Sequence, residues 1–177
     1  ATVAGELYAY PPSFTPPEWR FSNYTETLKV FDYWKFLGNT MTILVPSVIG
    51  AVITATMGGY AFARLRFRGK KFLFMLCVGS MLLPSMVTLI PLFVFYGKIH
   101  VLDTVYAMIL PQVGFALPLS IMLFVNFFAF VPNDLIEAAI IDGSTPYGIF
   151  FKIMMPLAKN TFITVASMYC ILIWNDF

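Results

Sequence analysis

The sequence predicts an all-α fold, a polytopic bundle of membrane-spanning helices. Two observations carry that expectation. Of the 177 residues 59% are hydrophobic and only 11% are charged, where a soluble domain carries about a quarter charged residues. Three long stretches also contain no charge at all. So few charges cannot clothe a soluble globule of this hydrophobicity, which argues against a soluble enzyme and excludes a disordered chain. The formal net charge of +2 falls short of the basic face that nucleic-acid binding needs, so no nucleic-acid partner is expected. Cys77 and Cys170 both sit inside apolar runs and read as reduced, packed thiols, with no metal site implied.

Residues 1–35 form an external N-terminal segment in this reading. Pro11, Pro12, Pro16 and Pro17 interrupt it and disfavour a long helix at the start, while Trp19, Phe21 and Tyr24 offer interfacial anchors. The first span covers 36–63, 28 uncharged positions where about 20 suffice to cross the hydrocarbon core. Along it Ser47, Ala51, Ala55, Gly59 and Ala63 recur every four residues, a low-bulk face against which another helix can pack closely. The second span covers 72–97, with Pro84 and Pro91, and the third 104–132, with Pro111 and Pro118. Each proline removes a backbone hydrogen bond and tends to kink its helix, and the freed carbonyls need neighbours or water, which favours a transport bundle over a simple anchor. The fourth run starts at Thr161 and has 15 uncharged residues up to Asn175. Against the roughly 17 to 25 of a full span, 161–177 reads as incomplete.

Orientation follows from the loops. Arg64, Arg66, Arg68, Lys70 and Lys71 lie together without an acid, which places that loop in the cytoplasm. The link from Lys98 to Asp103 is then external, residues 133–160 are cytoplasmic, and the last run heads outward. Residues 1–35 are external without a leader of their own, so the chain looks like a fragment truncated at both ends.

Residues 133–160 are too polar to continue a span and too patterned for an idle loop. Asn133 or Asp134 can cap a helix, and Glu137 stands three residues after Asp134 at capping-box spacing. The helix should run to about Ile141, with Gly143 ending it in the left-handed conformation and Pro146 in the first turn of the next helix. Leu135, Ile136, Ile140 and Ile141, with Ala138 and Ala139 beside them, make an apolar knob for a partner groove.

Glu137-Ala138-Ala139, Asp142-Gly143 and, nine residues on, Ile153 with Met155-Pro156 resemble the EAA signature of permease subunits in binding-protein-dependent ABC importers. The likeness extends to Tyr60 through Gly69, to Pro84 and Thr88 through Leu92, and to Trp174 through Phe177, and is greatest to carbohydrate-uptake permeases of the maltose-permease type. Ser144 and Met155 depart from the usual Ala and Leu. The resemblance implies a multi-pass protein of a bacterial or archaeal cytoplasmic membrane, surrounded by lipid. The resemblance further implies that it works with a second homologous permease, two ATPase subunits and an extracytoplasmic solute-binding protein. It also implies that 133–160 is the coupling segment, in which Glu137, Ala138, Ala139, Asp142 and Gly143 dock the ATPase. ATP and Mg would be bound by the partner ATPases and no cofactor by this chain, whose sequence shows no phosphate loop, metal-ligand spacing or nucleophile with a base. The expected cargo is a sugar or oligosaccharide.

Polar residues inside spans are candidates for the translocation pathway. These are Ser85, Thr88, Gln112, Asn126, Asn175 and Asp176. For Gln112 and Asn126 the competing reading is a polar contact that joins helices, and for Asp176 it is an ion pair or cap with a helix beyond this chain. The alternative function is an ATP-independent secondary carrier or channel, disfavoured because the first three spans hold no ionisable group for ion coupling. A membrane scaffold would need the small-residue face but no kinks.

Overall fold

The computed structural model describes residues 21–30 and 32–176, and every described element is helical. The expectations for residues 1–20, including the four prolines and Trp19, and for Phe177 lie outside the described residues. The chain divides into two units, Ala1–Asn39 and Thr40–Phe177. The first contains α1 (Ser22–Val30), a helix with no buried residue, and the opening turns of α2 (Tyr33–Arg64). Asp32 caps α2 by accepting from the Lys35 N–H at 3.3 Å, satisfying one of the donors a helix start leaves open.

The rest of α2 belongs to the second unit, which continues through α3 (Lys70–Gly79), a 3₁₀ turn (Ser80–Leu82), α4 (Ser85–Lys98) and α5 (Tyr106–Phe130). After α6 (Asn133–Ile141) and α7 (Pro146–Ile149) come a π-helical turn (Phe150–Met154), α8 (Met155–Leu157) and α9 (Lys159–Asp176). Two helices, α2 and α5, are each long and apolar enough to cross a membrane. Two bent pairs are also apolar enough if each pair counts as one span: α3 and α4 meet at 109°, and the segment Pro146–Leu157 meets α9 at 70°. The first bend is sharper than a proline kink. Leu83 is extended, as the residue before a proline prefers, and Pro84 opens α4 instead of continuing α3. Pro91, Pro111 and Pro118 stay inside their helices, as does Pro46 in α2.

The core of the second unit lies where α2 and α9 meet α5. Ser47, Ala51, Ala55 and Gly59 are buried, and α5 passes close along this face. A methyl group at Gly59 would stand 2.4 Å from Phe124 Cβ, with the Phe124 backbone 3.2 and 3.3 Å away. Helices with side chains cannot approach so closely, which is why the small residues recur on one side of α2. Helix α9 buries Val165, Tyr169 and Ile173, spaced by four, against α5. There the Tyr169 hydroxyl donates to the Ala116 carbonyl at 2.8 Å, and Phe162 meets Phe124 edge-on with centroids 5.2 Å apart.

Candidate functional site

The segment from Asn133 to Ile149 folds as helix, turn, helix. Helix α6 ends in a Schellman arrangement: Ser144 N–H donates to Ala139 O at 2.8 Å and Gly143 N–H to Ile140 O at 2.9 Å. Gly143 closes it at φ 81°, a left-handed backbone that a side chain would strain. Thr145 then caps α7, its hydroxyl oxygen accepting from Gly148 N–H at 3.2 Å, with Pro146 at the helix start where a missing N–H costs nothing.

The capping box expected at the start of α6 does not form. Pro132 occupies the N-cap with no side-chain acceptor, and Asn133 already belongs to the helix. The Asn133 Oδ1 is instead taken by Arg64, whose Nη1 donates to it at 2.6 Å. The other terminal nitrogen of Arg64 donates to the carbonyls of Phe128 and Val131. These carbonyls sit at the C-terminal end of α5, where a helix exposes unpaired acceptors and a partial negative charge that a guanidinium satisfies. One turn earlier on α2, the Tyr60 hydroxyl donates to Pro146 O at 3.2 Å, and its ring packs on Phe128 and Phe150 with centroids 5.9 and 4.9 Å away. The last two turns of α2 therefore clasp the end of α5, the start of α6 and the start of α7. The sequence alone places Arg64 in the basic loop, and both residues in the stretch from Tyr60 to Gly69 that carries the likeness, without a contact for either; the signal for the clasp is their spacing of four beside the small-residue face.

The five residues expected to dock a partner are brought together on α6 and its turn, but they do not share one environment. Glu137, Ala138, Asp142 and Gly143 are exposed, whereas Ala139 is buried in the chain's own core, where its small side chain lets α6 lie close to the bundle. The exposed apolar surface beside them is Leu135, Ile140 and Ile141, the last 85% exposed. Ile136 instead packs partly against the core.

The pathway candidates separate. Gln112 and Asp176 join α5 to α9, the Gln112 Nε2 donating to Asp176 Oδ2 at 3.0 Å. Asn175 donates to the Ile171 carbonyl one turn back and lines, with Trp174, Met41, Leu44, Cys170 and Ile171, a groove of about 420 Å³. Thr88 is half-buried on α4, Asn126 is exposed on α5, and the Ser85 side chain lies outside the described residues. A second groove, of about 440 Å³, is lined by apolar residues of α4 and the start of α5, such as Leu89, Phe93 and Pro111, and by Tyr96.

Residues 47–177 match the family described as binding-protein-dependent transport system inner membrane component. The chain is 31% identical to the diacetylchitobiose uptake system permease protein of Streptomyces coelicolor, over 98% of this chain and 57% of the relative. It is 34% identical to the arabinooligosaccharides transport system permease protein of Halalkalibacterium halodurans, over 82% of this chain and 51% of the relative. Among solved structures it resembles a chain of a bacterial ABC transporter involved in the import of the acidic polysaccharide alginate. The TM-score there is 0.78 at 28% identity, covering 90% of this chain and 56% of that one. The chain thus spans little more than half the length of these relatives.

Proposed function

Because the chain belongs to the binding-protein-dependent transport inner membrane components, we propose that it is the permease part of an ATP-driven importer of sugars or oligosaccharides. In this reading the α6 turn docks an ATPase subunit on the cytoplasmic face. Glu137, Ala138, Asp142 and Gly143 make the contact, Ile140 and Ile141 fill an apolar groove, and Ala139 holds α6 to the bundle. ATP and Mg are bound by two such ATPase subunits, a second homologous permease completes the pathway, and an extracytoplasmic binding protein delivers the solute.

The observation that carries this reading is the clasp. An exposed helical tip is fastened through Arg64 and Tyr60 to α2 and α5, the two longest apolar helices described. A push on the tip is then transmitted as rigid movement of those helices instead of being absorbed in a flexible loop, which is what alternating access needs. For the solute, Trp174 and Asn175 in one groove combine an aromatic face with an amide, groups that suit the apolar face and the hydroxyls of a sugar. The transport names of the relatives above favour the same class. The Gln112 to Asp176 bond holds α9 beside α5 and so shapes that region.

Gly143→Pro tests the coupling. Proline cannot adopt the φ of 81° found there, so the turn rearranges while the spans are untouched. In proteoliposomes holding the whole importer, the variant is expected to remain in the membrane and to let ATP hydrolysis continue while uptake falls by about tenfold or more, equivalent to losing roughly 1.4 kcal/mol or more of coupling between the tip and the spans. Uptake at the unaltered rate would contradict the reading.

A further inference from the structure

Five of the eleven Lys and Arg residues in the chain fall within residues 64–71, with no acid among them. Arg64 is spent on the clasp. Lys70 is half-buried and its Nζ donates to Leu65 O at 3.2 Å. That leaves Arg66, Arg68 and Lys71, which are exposed and form no ion pair among the described residues. Phe67, between the two arginines, rests its ring on Phe62 at 5.9 Å, and Phe62 in turn packs on Phe74 of α3 at 5.4 Å. The connection is therefore anchored by its aromatic residue while the cations on either side of it stay outside. The first turn of α3 lies beside them, and Gly69 at its N-cap supplies no side-chain acceptor to the backbone N–H groups that a helix start presents.

The surface next to these cations is apolar. Phe72, Leu73, Met75 and Leu76 follow directly on α3 and are about half exposed or more. A cationic rim set against an apolar helix face complements a molecule with a negative head and hydrocarbon tails. A soluble anion would engage the cations and leave that face unused. We propose that residues 65–71 and the first turn of α3 bind the headgroup phosphate of an anionic phospholipid of the inner leaflet, whose acyl chains lie along α3. The site rests on the membrane placement of the chain and is independent of the ATP-coupling reading.

The test uses the full-length protein in its native assembly, reconstituted in nanodiscs with spin-labelled phosphatidylglycerol or spin-labelled phosphatidylcholine as the probe. The unaltered protein is expected to hold phosphatidylglycerol preferentially. Each juxtamembrane cation strengthens such attraction about fivefold, so Arg66→Gln/Arg68→Gln/Lys71→Gln is expected to lower the preference by at least about tenfold. Equal association of the two lipids with the unaltered protein, or a preference that survives in the triple variant, would overturn the proposal. Should the variant not accumulate, the unaltered protein supplies the second measurement. Raising salt from about 0.1 to 1 M shortens the screening length from roughly 10 to 3 Å and is expected to erase most of the preference; an unchanged one counts against the site. Displacement of the lipid by millimolar inorganic phosphate would likewise overturn it, leaving a site for anions only.

Discussion

Replacing Arg64 by Ala is expected to release α6 from the bundle. The guanidinium serves Asn133 Oδ1 and the carbonyls of Phe128 and Val131 at once. A hydrogen bond to a charged group contributes about 1.5–3 kcal/mol, and a neutral acceptor left buried without a donor costs about 1–3 kcal/mol. Taking about 3 kcal/mol for the cluster, amide hydrogen exchange in α6 should accelerate by roughly two orders of magnitude. Exchange in α9, which Arg64 does not touch, should change far less. Arg64→Lys keeps the charge but replaces the planar fork by a single ammonium, so it should recover only part of the protection. In the coupling reading the same loosening lowers uptake per ATP hydrolysed. Unchanged exchange across α6 in the Ala variant would remove the clasp from the account.

Enlarging Gly59 should have the largest effect on assembly. An added Cβ already meets Phe124 Cβ at 2.4 Å, with the Phe124 backbone at 3.2 and 3.3 Å behind it, so the obstruction cannot be relieved by a rotamer change alone. Gly59→Ala should destabilise by about 1–3 kcal/mol, as overpacking does. Gly59→Leu should prevent α2 and α5 from closing, leaving little folded protein in the membrane and a broadened gel-filtration profile in mild detergent. Gly114→Ala, on α5 but with nothing within 4 Å of the added methyl, is the control and should behave as the parent. Normal accumulation of Gly59→Leu would mean that the small-residue face does not hold this helix pair together.

What the sequence made legible was what local physics decides. The small-residue face of α2 could be read because close helix approach demands low bulk at every fourth position, and the structure buries Ser47, Ala51, Ala55 and Gly59 there. The α6 turn could be read because few residues besides glycine adopt the backbone found at Gly143, and because proline suits the helix start it occupies at Pro146. The failures came where a distant group outcompeted a local one. The capping box at Asp134 and Glu137 has the right spacing, but Pro132 takes the cap position and Arg64, 69 residues away in sequence, claims Asn133. The inward turn of Ala139 was hidden for a related reason, since two adjacent alanines look alike until the helix is docked and only one of them meets the core. The extent of the break at Pro84 depends on where α4 goes afterwards, a tertiary choice. The π-helical turn at Phe150–Met154, just before Pro156, has no pattern of its own in the sequence. The bond from Gln112 to Asp176 joins two residues that could each be read as intramembrane polar groups but not as a pair.

The proposed coupling requires the α6 tip to meet an ATP-hydrolysing subunit. A photo-crosslinking amino acid placed at Ile141, 85% exposed at the end of α6, in the full-length protein in its native membrane tests it directly. The same group at Phe130, 89% exposed at the end of α5, serves as the comparison. The account predicts that the Ile141 probe links to a nucleotide-binding ATPase subunit and that the Phe130 probe does so far less. Capture of lipid or of the permease alone from Ile141, with the ATPase absent from the adduct, would contradict it.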